Sequence, residues 1–405
     1  MLRKVYEQIT SLLEDKVQDT PDARYELILE LARIGLKCFE GKEPVCWLGV
    51  NFPIEIPLAL GYLPFYPEIA PAQLASVNLS AELIEAEERI SSNLFCCSFH
   101  RCSHAAVDFW PKPAAIVGTS NICDGQVKLF QLLGRRYDIK PILVEFPIEA
   151  TEDAVDYVES QLRQVIAQLE DLKGEKLDEQ KLKNVIQTAN QARQGIVRIN
   201  ELRKQVPCLL HGARAFNAIN TSLVQIWATS RLPQLYEQLI KETEERRQRG
   251  NDEGERFRLF LMVGYPSYKT LFLDCLEKEL GAIVVMDEMS NAYWDDIDEA
   301  NPIRGLAYKT LHHPLCGTIE KRAERACRLS QDYKIDGVIH VSHWGCRQTS
   351  GGVGVLRERL AEIDIPFLNV DLDIVDPRTY SPGQLKTRLQ GFVEMLSDRQ
   401  ASEIC

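Results

Sequence analysis

The chain has 405 residues, 45% hydrophobic and 26% charged, with a formal net charge of −12. That length exceeds what one apolar core usually serves and predicts two domains, and the acidic balance argues against nucleic acid as a partner. No apolar run approaches the roughly 20 residues that a membrane-spanning helix needs. The opening Leu2-Arg-Lys-Val-Tyr-Glu-Gln has no signal-peptide character. A cytoplasmic protein is expected, in which the twelve cysteines are thiols or metal ligands rather than disulfides.

In chain order, the first 40 residues read as helix. Thr20-Pro21-Asp22 gives a cap with proline at the first helical position, Leu27, Leu31, Ile34 and Cys38 share a face, and Gly41 closes it. Val45–Val50, Ala114–Gly118 and Pro141–Phe146 read as strands, with a helix from Asp124 to Leu133 between the last two. This is the β-α-β alternation of a mostly parallel sheet. From Ala150 to Arg249 long charged stretches carry Leu and Ile at helical spacing, as in Val158 to Leu169, and predict packing helices. Gly250-Asn-Asp-Glu-Gly254 reads as a linker. The alternation then returns, with strands at Arg258–Val263, Ala282–Met286, Gly337–Val341 and Phe367–Val370. Helices are expected at Leu271–Leu280, Ile319–Leu329 and Pro382–Leu396. The expected fold is α/β: two doubly wound parallel-sheet domains (residues 1–150 and 255–405) joined by a helical segment (residues 151–254).

Six cysteines lie outside apolar helical stripes: Cys96, Cys97 and Cys102 in Phe95-Cys-Cys-Ser-Phe-His-Arg-Cys, Cys123, Cys316 in His312-His-Pro-Leu-Cys, and Cys346 in His343-Trp-Gly-Cys. Cys123 and Cys346 follow predicted strands at strand-to-helix turns, where open parallel sheets bind ligands and helix N-termini favour anionic thiolates. Cys96 and Cys97 are neighbours whose side chains diverge, so they suit two different irons rather than one. Six soft ligands point to iron–sulfur chemistry, and two cubanes, about eight irons, would leave two open vertices for a bridging sulfide or a substrate. Zinc is the metallic rival. Cys97 and Cys102 have a zinc-like spacing, with His100, His104, His312 and His343 nearby, but only one such pair exists.

Other features have plainer readings. Cys38, Cys46, Cys208, Cys275 and Cys327 read as small core residues, and Cys405 as an exposed end. Six of the seven histidines (His100, His104, His312, His313, His340 and His343) lie close to candidate thiolates, where they could move protons or donate hydrogen bonds to sulfur. Asp371-Leu-Asp373 reads as a solvated turn. No Walker-type Gly-x4-Gly-Lys is present, so ATP would be handled by another protein.

Phe52-Pro-Ile-Glu-Ile-Pro-Leu-Ala-Leu-Gly-Tyr-Leu-Pro, the cysteines near position 97, Cys123 and Cys346 together resemble the superfamily of 2-hydroxyacyl-CoA dehydratases and benzoyl-CoA reductases, over nearly the whole chain. Within it they are most similar to the double-cubane cluster proteins. Dehydratase subunits typically hold one [4Fe-4S] cubane with three cysteines in that order, here one of Cys96, Cys97 or Cys102, then Cys123, then Cys346. The surplus at the first position and at Cys316 is what a double cubane, [8Fe-9S], would require. The resemblance implies a homodimer that takes electrons from a separate ATP-hydrolysing iron–sulfur reductase and performs low-potential reduction of a small molecule. The alternative is a dehydratase subunit with one [4Fe-4S] cluster, paired with an unlike subunit. A non-catalytic electron carrier is a third reading.

Overall fold

The computed structural model describes residues 1–20, 22–90, 97–223, 226–248, 254–291 and 295–404. Its eight strands are β1 (Val45–Leu48), β2 (Leu63–Phe65), β3 (Ala115–Thr119), β4 (Ile142–Val144), β5 (Phe257–Met262), β6 (Ala282–Asp287), β7 (Gly337–His343) and β8 (Phe367–Leu372). They form two four-stranded sheets, ordered β2-β1-β3-β4 and β6-β5-β7-β8, and every pairing is parallel. The expected two-unit α/β fold is the observed one.

The central strands β1, β3, β5 and β7 are buried along their whole length because helices cover both sheet faces. Side chains alternate between the two faces. Cys46 and Leu48 of β1 join Ala115 and Val117 in one core, while Val45 and Trp47 join Ile116 in another. In the second sheet Phe257, Leu259 and Leu261 face one core, and Phe260 and Met262 face the opposite one.

The first 40 residues form a helical hairpin, Leu2–Asp19 and Ala23–Lys37. The second helix is capped by Asp22, whose carboxylate accepts the Arg24 amide at 3.0 Å, rather than by Thr20. Pro21 lies outside the described residues, as does the expected linker except for Gly254. Four helices fill the middle of the chain, Glu152–Lys173, Glu179–Lys204, Gly212–Ser222 and Leu232–Gln248. Their Val158, Ile186, Ile219 and Leu239 share a core with the first sheet. So do Leu306 and Ala307 of the later helix Pro302–Leu311, which crosses to the first lobe. The helix expected at Leu271–Leu280 is wound as a π-helix over Asp274–Glu279.

In each sheet the strand order reverses beside its central strand, between β1 and β3 and between β5 and β7. Such a switch point opens a crevice beyond the carboxyl ends. Here the two crevices meet. Ser98 Oγ donates to Asp373 Oδ1 at 2.7 Å, Ser80 Oγ donates to the Val375 carbonyl at 2.6 Å, and Arg347 bridges to Asp124 at 2.7 Å. Among the described residues no helix is long and apolar enough to cross a membrane.

Candidate metal centre

Three thiols stand at the starts of helices that open onto the shared crevice. Cys97 is the N-cap of Ser98–Ala105, Cys123 of Asp124–Tyr137, and Cys346 of Arg347–Ser350. A residue at an N-cap has extended backbone and faces amide N–H groups that lack partners in the first turn. All three keep a partial opening to solvent. The helix beginning after Cys123 starts five residues beyond β3, and that beginning after Cys346 four residues beyond β7, because these turns end parallel strands.

The thiols sense one another. Burial raises the Cys97 thiol, negative charge at Cys346 and Cys123 adds to the rise, and the amides of His100 and Phe99 oppose it. Burial pushes Cys123 up to about 11, with Glu68 and Cys346 contributing and the amides of Gln126 and Gly125 pulling it down. Thiols so placed resist ionising by themselves, and a cationic metal core reverses that balance. The donor set therefore fits an iron–sulfur cluster. Among the described residues no group of three or more His, Cys, Asp or Glu side chains is gathered around a single point. Thiolates on a single zinc, with Zn–S bonds of about 2.3 Å, crowd within roughly 4 Å of each other, whereas those of a cubane sit on separate irons.

Cys316 lies in the same crevice, apart from the trio. Its sulfur accepts the side-chain amides of Asn51 and Asn121, each at 3.2 Å. Asn51 follows β1 and Asn121 follows β3, so the switch point of the first sheet cradles this thiol. Burial pushes it up to about 12, against the pull of Arg325. A cavity of about 230 Å³ adjoins it, lined in part by Thr318, Arg322, Gln348, Gly352 and Val355.

Cys102 is placed differently. It is fully buried on the inner side of its helix, packed into the apolar core of the first lobe. Burial raises it, and the charges that add to the rise belong to Asp376 and Asp373, not to another thiol. Its side chain belongs to that core, where the three N-cap thiols do not appear. Cys96 lies outside the described residues. Cys38, Cys46, Cys208 and Cys275 are buried, as their apolar surroundings predict, while Cys327 is partly exposed.

Of the histidines, His343 reaches the trio, with Nε2 3.4 Å from Cys97 Sγ. His100 pairs with Glu68 at 3.1 Å, and Glu68 also accepts from Gln126 at 2.6 Å, which ties this buried chain to the turn carrying Cys123. His104 pairs with Glu87 at 2.9 Å. His340 Nδ1 donates to Asn369 Oδ1 at 2.8 Å. His312 is exposed and stacks on Tyr308, and burial together with Lys309 and Arg325 lowers His313 to about 3.

Several residues of the site carry no signal in the sequence. Asn51 and Asn121 are ordinary loop amides until the fold aims both at one sulfur. Asp373, expected in a solvated turn, is 2% exposed. One of its oxygens accepts from Ser98 Oγ and from the amides of Val375 and Asp376. Glu55 and Lys309 form a buried pair at 2.6 Å, and Trp227 also donates to that carboxylate oxygen at 3.2 Å. Burial lowers the Lys309 ammonium, and Glu55 opposes the drop. Near Cys346, Arg322 clasps Glu288 at 2.6 and 2.7 Å. Burial pushes Glu288 up, but the guanidinium and the Val263 amide carry it below the usual carboxylate range.

Comparison with known proteins places the chain in a family. A sequence model of the family described as 2-hydroxyglutaryl-CoA dehydratase, D-component, matches residues 49–396. That span includes every described thiol of the crevice. The chain is 26% identical over 388 residues to the (R)-phenyllactyl-CoA dehydratase alpha subunit of Clostridium sporogenes, covering 91% of this chain and 93% of that one. It is 25% identical over 398 residues to lactoyl-CoA dehydratase subunit alpha of Anaerotignum propionicum, covering 89% and 92%. A benzoyl-CoA reductase subunit of Thauera aromatica is 24% identical over 313 residues, 72% of each chain.

Proposed function

This chain belongs to the 2-hydroxyglutaryl-CoA dehydratase D-component family, and from that premise we propose that it is the catalytic component of an ATP-dependent reductase acting on a small molecule. Cys97, Cys123 and Cys346 hold one iron–sulfur cubane, and Cys316 with Cys96 extends the set toward a double cubane. The observation that carries this reading is Cys316: a thiol beyond the three that one cubane needs, held in the same crevice by two amide donors. When bound, the cluster supplies low-potential electrons. The chain's own part is to hold the thiolates at helix N-termini, where the dipoles favour negative charge. It also limits water by closing two lobes over the crevice. Electrons come from a separate ATP-hydrolysing iron–sulfur reductase, and the working unit is a homodimer in the cytoplasm.

A second reading, favoured by the dehydratase names of the relatives and by the trio standing as a set of its own, is a dehydratase subunit. It would hold one [4Fe-4S] cluster and work with an unlike partner subunit. Iron and acid-labile sulfide assays on anaerobically purified protein separate the two. About eight irons per chain supports the double cubane, about four supports the dehydratase subunit, and an iron-free protein overturns both.

A further inference from the structure

His343 ends β7, three residues before Cys346, yet its ring turns toward the other lobe. Its Nδ1 accepts the backbone amide of Ile374 at 3.0 Å. A nitrogen that accepts an N–H cannot carry a proton of its own, so the ring's single proton is on Nε2. Nε2 faces two acceptors, Cys97 Sγ and Ser98 Oγ, each at 3.4 Å. For oxygen that separation is long, since N–H···O bonds cluster at about 2.7–3.2 Å. Sulfur is the larger atom, and 3.4 Å is a normal reach for it. The serine oxygen is also engaged, its hydrogen bound to Asp373 at 2.7 Å. Cys97 is therefore the better partner of the Nε2–H.

The tautomer is fixed from further away. Asp373 Oδ1 gathers the amides of Val375 and Asp376 at 2.9 and 2.7 Å, which shapes the turn that presents the Ile374 amide to Nδ1. Phe99 meets the imidazole edge-on, with ring centroids 5.3 Å apart, and limits its rotation. His343 is 2% exposed, so water does not compete for its proton.

We infer that His343 is a positioning residue that donates an Nε2–H hydrogen bond to the Cys97 sulfur, with its tautomer set by the Ile374 amide and the Asp373 turn. The role of that bond in tuning a cluster rests on the reading of Cys97 as a cluster thiolate. A hydrogen bond to a ligating sulfur favours the reduced, more negative state and raises the reduction potential. The bond comes from the second lobe to a thiol of the first, so donor and ligand belong to different sheets.

The test has two arms, with His343→Leu and His343→Gln in the full chain. In the first arm, redox titration followed by electron paramagnetic resonance measures the cluster's midpoint potential. His343→Leu shifts it to more negative values at unchanged iron content. His343→Gln, which keeps an N–H donor, restores most of it. In the second arm, metal-free protein is treated with iodoacetamide, and the Cys97 peptide is followed by mass spectrometry. Losing the donor slows alkylation about twofold, because one net hydrogen bond raises the thiolate fraction roughly fivefold but blunts its nucleophilicity. Glutamine recovers the rate. A residue that only fills space gives the opposite result, since its truncation opens Cys97 and speeds the reaction. Unmoved potentials at full iron load, or faster alkylation in His343→Leu, overturn the inference. If the wild-type chain carries no cluster, the functional reading fails while the alkylation arm still decides the hydrogen bond.

Discussion

The two sheets have the same strand order and open the same kind of crevice, yet they equip it differently. The first lobe delivers Cys97 and Cys123 of the trio, each at a helix start, and the two amides that hold Cys316. The second delivers Cys346 and a hydrogen-bonded scaffold, His343 and Asp373, that reaches across to Cys97 and Ser98. Topology assigns a place for chemistry, beyond the carboxyl ends at a switch point; loop residues decide what chemistry occurs there. Neither lobe holds the trio alone.

The largest expected effect breaks the division directly. Replacing Cys123 by alanine in the first lobe, or Cys346 in the second, removes one corner of the set, so each variant loses its iron and its activity. Both positions are partly exposed helix caps, so far-ultraviolet circular dichroism stays at the wild-type level. Full iron in either variant takes that lobe out of the site.

The next effect concerns the first lobe's interior, where the crossing helix Pro302–Leu311 brings Lys309 to Glu55. Lys309→Met strands a fully buried carboxylate, and chemical denaturation should register a loss of about 3–5 kcal/mol. The double variant Glu55→Leu with Lys309→Met recovers most of it, because the pair rather than either charge is what the core accommodates. A single variant as stable as wild type removes the pair from the account of the fold.

The smallest effect is at the seam. Arg347 and Asp124 pair across the lobes at 2.7 Å, but both side chains are largely exposed, and such pairs contribute about 1 kcal/mol or less. Asp124→Asn should leave the melting temperature and iron content nearly unchanged. A large drop in iron would mean that this exposed contact, and not the buried ones, holds the lobes together.

Much of the fold is readable from the chain because buried parallel strands are apolar on both faces. Among the described residues, seven of the eight strands overlap apolar stretches of the sequence, although the edge strands β4 and β8 are partly exposed. The exception, Leu63-Pro64-Phe65, is three residues long with proline at its centre, and it survives because β2 is an edge strand, where proline is tolerated. The π-winding of Asp274–Glu279 has no comparable signature. At the site, Cys123 and Cys346 are legible since a cysteine after a predicted strand falls where ligands bind. Cys102 shares its motif with Cys97 but faces the core, because five residues of helix leave it about 140° around the axis from Cys97. The tasks of His343, Asp373, Asn51 and Asn121 come from contacts between loops distant in sequence, and no local pattern announces them.

Anomalous diffraction at the iron edge, from crystals grown without oxygen, tests the central claim most directly. Iron density is expected between Cys97, Cys123 and Cys346, with further iron toward Cys316. Iron-free density among those sulfurs, or a lone zinc on Cys97 and Cys102, would contradict it.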